Sequence, residues 1–269
     1  MTPPSRRERL RTATVSEIKD GARRLLVTGG LDAVSLRAIA RDMGMTAPAI
    51  YRYFPSLEAL IAGLAADFYD ELRQTVEAAR DTAGDDPLDQ LLAMSRAFRR
   101  WGVGNRAEFT LIFGNPVPGL EEFTDACGDE DHPGARLGTV FVRPLATLAA
   151  HAGLRTPPRE FLEEHLGDRL APLRRSHGDL SLEVAYAFLS GWTRIYGLIA
   201  MEVFDHLRWA VTEPEALFET ELAAFVAQLS PAPEQQLGAG GGQQLGAAPE
   251  RSGAAGATVR VTPPRAGSH

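Results

Sequence analysis

Residues 35–54 of this chain, SLRAIARDMGMTAPAIYRYF, combine small, hydroxyl, aromatic and cationic side chains within a short stretch. In its second half, apolar residues at helical spacing fall on one side, which leaves polar and aromatic side chains on the other. Such side chains on a short helix can contact base edges, sugars and phosphates in the major groove of DNA. The pattern therefore predicts a helix that reads DNA.

Two short helices joined by a tight turn would position these side chains. Ser35 precedes the first helix and Thr46 the second, and both are residue types that cap helices. Gly44 lies between them, where a helix end needs a residue that tolerates a positive φ angle. Pro48 falls in the first turn of the second helix, where its missing N–H costs little, and Pro55 ends that helix. The apolar side is expected to consist of Leu36, Ile39, Ala40, Ala49, Ile50 and Phe54.

Charge separates this part of the chain from the rest. Residues 1–56 contain ten Lys and Arg residues against five acidic ones, a net charge of +5, whereas the whole chain carries −7 and residues 57–269 therefore carry −12. A positive module on an otherwise acidic protein is typical of proteins that bind nucleic-acid phosphates. The alternative, a helical hairpin in an apolar core, does not explain this charge, so we favour DNA binding.

The same region resembles the DNA-binding domain of TetR-family transcriptional regulators. The resemblance covers residues 14–64 and runs through TVSEIKDGARRLLVTGGLDAVS, LRAIARDMGM, TAPAIYRYFPS and LEALIAGL, with AIYRYFPSLEAL as its most specific part. It implies an all-α fold with an N-terminal three-helix helix-turn-helix DNA-binding domain and a larger helical domain that binds a ligand and dimerises. The expected boundaries are 14–60 for the first domain and 61–230 for the second.

The resemblance also implies which residues contact DNA. They are Arg37, Thr46, Ala47, Pro48, Tyr51, Arg52 and Tyr53. Residues 46–48 would lie close to base edges, the two tyrosines against phosphates, sugars or thymine methyls, and the two arginines against phosphates. The family commonly has a lysine where this chain has Leu57, so a phosphate contact there would have to come from backbone amides. The recognition helix has few long side chains that can donate hydrogen bonds to bases. Sequence specificity is therefore expected to depend on contacts with methyl groups, on the shape of the DNA and on bridging water.

Residues 1–13, MTPPSRRERLRTA, form a basic N-terminal arm with four arginines. One interpretation is an extension that follows phosphates or enters the minor groove. The other is a solvated tail or an N-terminal extension of helix one. The sequence leaves these two interpretations equally open.

Composition limits the class of protein. With 269 residues, 44% of them hydrophobic, the chain can bury a sizeable core. It has no apolar run long enough to span a bilayer, no hydrophobic signal segment and a single cysteine, Cys127, which together predict a cytoplasmic protein without a disulfide framework. Residues 231–269 repeat QQLGA and are rich in Gly, Ala and Pro, so a disordered tail is expected.

Two helices near the end of the body predict a homodimer. The segment 181–207 is apolar on both sides and must be covered on both, and the helix at 213–229 carries a similar apolar stripe. Together they would form a four-helix interface about a two-fold axis, with Gly191 and Gly197 allowing close approach of the partner. Elsewhere we expect Pro144 to kink a helix at 136–150, and residues 161–174 to form an amphipathic, exposed segment.

The body also resembles the branch of the family that carries a Trp-His-Gly signature in its C-terminal domain. The matching blocks are EFTLIFGNPVPG and GWTRIYGLIAMEVF. Trp192 and Gly197 match the signature, whereas Tyr196 replaces its histidine. This departure puts any role of that histidine in ligand contact in doubt.

TetR-like bodies usually enclose a pocket, and the sequence offers candidates to line it. Each aromatic residue is individually more typical of plain core, but the set as a whole fits an apolar pocket with few polar anchors. The candidates are Phe98, Trp101, Asn105, Phe109, Phe113, Asn115, Phe141, Trp192 and Tyr196, with Arg194 as a further anchor. The predicted effector is a small, largely apolar or aromatic molecule.

Metal, cofactor and catalytic chemistry find little support. None of the six histidines pairs with another at helical spacing, and the loop with Cys127, Asp129, Asp131 and His132 is more typical of a solvated acidic turn. We therefore expect no metal, no cofactor and no enzyme activity. The leading hypothesis is a homodimeric repressor that binds a palindromic double-stranded DNA operator and is released by a small-molecule effector. The alternatives are an activator or ligand-independent regulator of the same fold, and an enzyme that kept the helical scaffold.

Overall fold

The computed structural model describes residues 5–114, 117–120, 123 and 131–229. Within these residues the regular structure is entirely helical, so the all-α prediction is confirmed. The helices are α1 (Arg6–Gly29), α2 (Leu36–Asp42), α3 (Ala47–Ile50), α4 (Leu57–Thr82), α5 (Pro87–Gly104), α6 (Arg106–Phe113), α7 (Pro133–His151), α8 (Arg159–His165), α9 (Ala171–Ser176), α10 (Leu182–Val203) and α11 (Pro214–Leu229). Short 3₁₀ turns occupy Leu31–Ala33 and Gly167–Leu170. None of the helices described is long and apolar enough to cross a membrane.

Side-chain caps explain where several helices begin. Ser56 accepts a hydrogen bond from the Ala59 amide at the start of α4, and Ser181 caps α10 in the same way. Ser35 and Thr46 also occupy N-cap positions, but neither side chain makes a capping hydrogen bond. The Thr46 hydroxyl therefore stays exposed at the entry of α3 rather than being used inside the protein.

The first helix begins earlier than the family resemblance implies. Ser5 and Glu8 form a reciprocal capping box, in which each side chain hydrogen-bonds the other residue's backbone N–H, and α1 starts at Arg6. The described part of the basic arm is thus an N-terminal extension of helix one, which is one of the two interpretations that the sequence leaves open. The extension carries its arginines on an ordered helix.

The hydrophobic core continues from the first three helices into the body. α4 packs against α1 at its start and against α5, α6 and α7 along its length. Phe68 on α4, Phe98 on α5 and Phe109 on α6 are almost completely buried in this core. Because one helix belongs to both ends of the core, a movement of the body can reach the first three helices through α4.

The structure corrects two of the predicted helices. Residues 161–174 are divided among α8, a 3₁₀ turn and α9, and Leu162 and Leu170 are buried in a small cluster rather than exposed. The long helix predicted over 181–207 ends at Val203, because Asp205 adopts a left-handed φ of 58° that an α-helix cannot continue through. α7, by contrast, runs unbroken through Pro144.

Candidate nucleic-acid interface and body cavity

The predicted reading surface lies on α3 and the turn after it. Ile50 is fully buried and Phe54 nearly so, and together they fix the orientation of the opposite side. Of the predicted DNA-contacting residues, all but the last are exposed and the last is half-buried: Arg37, Thr46, Ala47, Pro48, Tyr51, Arg52 and Tyr53. Arg37 lies on α2, and the others lie on α3, at its N-cap or in the turn after it.

The N-terminal extension of α1 lies beside this face. Arg6, Arg7 and Arg11 form an open groove of about 570 Å³ together with Arg52 and Tyr53. The Arg11 guanidinium lies 5.4 Å from the centre of the Tyr53 ring, within the range of a cation–π contact. Arg6, Arg7 and Arg52 make no ion pair with any described residue. These cations are available for an external anion, and phosphate is the anion that guanidinium groups fit best.

Other cations of the N-terminal helices are used inside the molecule. Lys19 on α1 makes an ion pair of 2.8 Å with Asp67 on α4. Arg23, one helical turn further along α1, also points to the body. The +5 charge counted from the sequence therefore overstates what the interface offers to DNA.

Arg23 is the centre of a polar network between α1 and the body. Its Nη1 donates to Glu71 of α4 and its Nε donates to Glu108 of α6, each at 2.8 Å. Trp101 Nε1 of α5 also donates to Glu71, at 2.9 Å, and Arg23 Nη2 reaches the Asn105 side-chain oxygen at 3.3 Å. One guanidinium thus contacts two helices of the body and Asn105, the residue between α5 and α6.

Electrostatics favour the charged form of this network. The hydrogen bond to Glu71 raises the pKa of Arg23 against the effect of its partial burial. Burial alone would raise the pKa of Glu71, but the hydrogen bonds from Arg23 and Trp101 outweigh it and the pKa is lowered. Both groups are therefore ionised at neutral pH.

The body encloses an apolar cavity of about 30 Å³, between α5, α7, α10 and α11. Three of the predicted pocket residues line it: Phe98, Phe141 and Trp192. The Phe98 and Trp192 rings stack with centroids 5.7 Å apart, so they fill the space they surround. The cavity holds about one water molecule, far less than a small-molecule site of roughly 300–1,000 Å³.

The remaining predicted pocket residues lie elsewhere. Phe109, Phe113 and Tyr196 form an adjoining aromatic cluster, in which the Tyr196 hydroxyl donates to the Phe113 carbonyl at 3.0 Å and burial raises the pKa of the phenol. Trp101 and Asn105 do not line the cavity, because the Arg23 network holds both side chains. Asn115 lies outside the described residues, as do Cys127 and Asp129 of the acidic loop. Arg194 hydrogen-bonds Gln228 on α11.

Family models match the reading surface and the body separately. The model described as bacterial regulatory proteins of the tetR family matches residues 18–64. A second, described as the tetracyclin repressor-like C-terminal domain, matches residues 91–225, half of the chain. The chain belongs to the TetR family.

Relatives of this TetR-family protein are regulators. The HTH-type transcriptional regulators Mb1846 of Mycobacterium bovis and Rv1816 of Mycobacterium tuberculosis are each 31% identical over 229 residues, which is 80% of this chain and 92% of theirs. The solved regulatory protein SCO4313 has a TM-score of 0.65 and 30% identity over 84% of this chain and all of that one. A protein of unknown function from Rhodococcus sp. RHA1 shares the fold, with a TM-score of 0.61 and 18% identity over 81% of this chain and 95% of that one. The protein is a DNA-binding transcriptional regulator, from a family of regulators that are not generally enzymes.

Two features of this TetR-family protein were not decided by the sequence prediction. The start of α1 at Arg6, one of two interpretations left open, had a readable signal, since Ser5 and Glu8 have the spacing of a capping box. The Arg23 network had none, because its partners lie 48 and 85 positions away along the chain. Within the part of the chain that the structure describes, no group of three or more His, Cys, Asp or Glu residues is arranged to hold a metal.

Proposed function

We propose that the protein is a homodimeric repressor that binds a palindromic operator in the cytoplasm and leaves it when a small, largely apolar effector binds. The observation that carries the DNA-binding part is the exposed face of α3 beside the unpaired arginines of α1. In a dimer, two such faces would enter successive major grooves about one DNA turn, or roughly 34–36 Å, apart.

Each part of the interface has a distinct task in this proposal. Thr46, Ala47 and Pro48 approach base edges, and Tyr51 packs on sugars or thymine methyls. The exposed arginines contact phosphates and set the position of the helix in the groove: Arg6, Arg7, Arg37 and Arg52. Tyr53 is half-buried under Arg11 and supports the groove from below.

The dimer is proposed to form through α10 and α11. The outward side of α10 carries Thr193, Gly197 and Met201, and a Cβ added at Gly197 would meet nothing within 4 Å in its own chain. Close approach of a partner helix is therefore open at Gly197. Gly191 instead allows α10 to approach α11 of the same chain, because an added Cβ there would lie 2.5 Å from the Phe225 ring of α11. Trp209, in the turn after α10, is 88% exposed and is the largest apolar side chain free to enter a partner.

Effector binding needs the body to open. A cavity of about 30 Å³ cannot hold an effector in the state described, so the effector-bound state must displace aromatic side chains such as Phe98 and Trp192. A ligand can shift the dimer to that state only by binding it better than the closed one. The filled core also favours the second candidate, a regulator of the same fold that acts without a ligand.

The DNA-binding proposal is tested by selecting bound sequences from a random pool and titrating the selected duplex. We expect an enriched inverted repeat. Tyr51→Ala with Arg52→Ala should then abolish operator binding while sedimentation shows an intact dimer. The matched control replaces an exposed aromatic and an exposed arginine of the body, Phe161→Ala with Arg155→Ala, and should bind like the parent. Unchanged operator affinity in the first variant would refute the placement of the reading surface.

The effector proposal requires a separate measurement. Apolar and aromatic compounds are screened for those that raise the melting temperature, and operator affinity is then titrated with each of them at saturation. Release from the operator supports repression relieved by an effector. Stabilising compounds that leave operator affinity unchanged would favour the ligand-independent regulator.

A further inference from the structure

A second basic site lies on the body and shares no lining residue with the groove beside the reading surface or with the apolar cavity. It is an open groove of about 560 Å³ between α4 and α7, with residues 176–178 also in its lining. Arg73 and Arg80 line it from α4, and Arg136 and Arg143 line it from α7. Residues seven apart on a helix are two turns and roughly 10.5 Å apart on the same face, so each wall presents two guanidinium groups along the groove.

The two walls differ in how their charges are satisfied. On α4, Arg73 donates to Glu77 at 2.6 Å and Arg80 donates to Asp81 at 2.7 Å, so these arginines are largely neutralised. On α7, Arg136 and Arg143 are exposed and make no ion pair with any described residue. The unsatisfied positive charge of the groove therefore lies on α7. Asp131 is a further carboxylate in the lining.

His177 also lines the groove, but its ring is held within the body. Its Nδ1 lies 3.1 Å from the Leu173 carbonyl oxygen and 2.9 Å from the Ser176 hydroxyl. Its Nε2 is buried without a hydrogen-bond partner, and it is the single side-chain atom in this condition among the residues that the structure describes. A Cβ added at Gly138 of α7 would lie 2.8 Å from Nε2, so this atom faces the α7 backbone and takes no part in the proposed contacts.

The geometry points to a binding site for a phosphorylated small molecule. Guanidinium groups hold phosphoryl oxygens in a bidentate manner. Of the two carboxylates that line the groove, Glu77 is already paired with Arg73. A nucleic-acid chain fits less well, because residues 57–269 carry a net charge of −12 and the groove is bounded by acidic residues. The ligand would contact Arg136 and Arg143 directly, with Arg73 and Arg80 opposite.

Calorimetric titration of the full chain with inorganic pyrophosphate at about 150 mM NaCl tests this site, because salt at that level screens exposed charges beyond roughly 8 Å. Loss of two charge-assisted contacts in Arg136→Gln with Arg143→Gln should raise the Kd for pyrophosphate by about tenfold or more. Arg136→Lys with Arg143→Lys keeps the charge but loses the planar guanidinium group. Its Kd for pyrophosphate should lie between that of the parent chain and that of the glutamine variant.

The matched control is Arg100→Gln with Arg155→Gln, which removes the same charge from two exposed arginines outside the groove. It should leave the Kd unchanged, and melting temperatures should show that all variants fold. No binding by the parent chain, or equal weakening in the groove and control variants, would overturn the proposal. Random duplex DNA that loses affinity in the groove variant as strongly as pyrophosphate does would also overturn it, in favour of a nucleic-acid contact.

Discussion

Arg23 contributes to the positive charge of residues 1–56, but it is not available to bind DNA. By position it belongs to the basic N-terminal helices, whose net positive charge predicts phosphate binding. In the folded chain it is held by Glu71 and Glu108 instead. Exposed residues such as Tyr51 and Arg52 were predictable, because local helical periodicity decides which side they face. Pairing across 48 or 85 positions is decided by tertiary packing, which periodicity does not contain.

Replacing Arg23 tests the weight of this network. Arg23→Met would leave Glu108, whose side chain is 5% exposed, without its cationic partner. We expect the free energy of unfolding to fall by about 2–3 kcal/mol, because a buried charge that loses its partner keeps its desolvation cost. Urea unfolding measures the change, with exposed Arg155→Met as the control. A loss below about 0.5 kcal/mol, the usual range for surface substitutions, would contradict the assignment.

The same network predicts a dependence on acid. The pKa of Glu71 is lower in the folded chain than in the unfolded one, so folding favours its carboxylate and this stabilisation is complete above the unfolded pKa of about 4.3. It is lost as the pH falls through the folded pKa. The difference in unfolding free energy between the parent and Glu71→Gln should therefore shrink between about pH 6 and pH 3. A difference that stays constant over this range would contradict the charged pairing.

At the scale of elements, the sequence predicted helices well where caps and periodicity agree. α10 begins at the expected residue because Ser181 accepts a hydrogen bond from a first-turn amide, and Ser56 and Asp86 cap α4 and α5 in the same way. The breaks after α8 and the early end of α10 were not predicted, since they depend on a small buried cluster and on one left-handed residue. The cavity was overestimated for a related reason: aromatic residues at helical spacing pack on one another as readily as they surround a ligand.

The contact between α10 and α11 can be tested at its closest point. Gly191→Ala would place a methyl group 2.5 Å from the Phe225 ring, so the two helices would have to separate. We expect the free energy of unfolding to fall by about 1–2 kcal/mol, which is the cost of overpacking less the gain in helix propensity. Gly197→Ala is the control on the same helix and should be neutral or stabilising by up to about 1 kcal/mol in the monomer. Equal effects of the two changes would show that Gly191 does not limit this approach.

At the scale of the whole molecule, the proposed function assigns two separate surfaces to two different partners. The N-terminal helices would offer unpaired arginines to DNA, and α10 with its following turn would offer small and apolar side chains to a second copy. The family and the helical architecture followed from the sequence. The proposed interface between copies rests on exposure, which becomes visible only when the chain is folded.

Trp209→Ala tests the proposed interface between copies. The side chain is 88% exposed, so its removal should leave the stability of one protomer unchanged. If the indole enters the partner, the dimer should dissociate about 30-fold more readily, as for an interface hot spot of about 2 kcal/mol. Sedimentation velocity over a range of concentrations measures this. Unchanged dimerisation would remove Trp209 from the interface.

Salt dependence tests the contribution of the α1 extension to DNA binding. The logarithm of operator affinity falls with the logarithm of salt concentration by about 0.9 for each phosphate contact. Arg6→Gln with Arg7→Gln removes two cations per protomer and should reduce that slope by about 3–4 in the dimer if all contacts form. Arg100→Gln with Arg155→Gln should keep the parent slope. An unchanged slope in the first variant would exclude the extension from DNA contact.

The continuity of α1 has a mechanical consequence. The helix runs without a break from Arg6 to Gly29. The arginines at its start and Arg23, which contacts the body, therefore belong to one continuous helix and move together. Arg6 and Arg23 lie seventeen positions apart on the helix, which gives a lever arm of about 26 Å. A tilt of about 5° at the junction would displace the far end by about 2 Å, which is enough to break a hydrogen bond to a phosphate. A small rearrangement of one half-buried guanidinium would thus be amplified into release or capture of the DNA backbone.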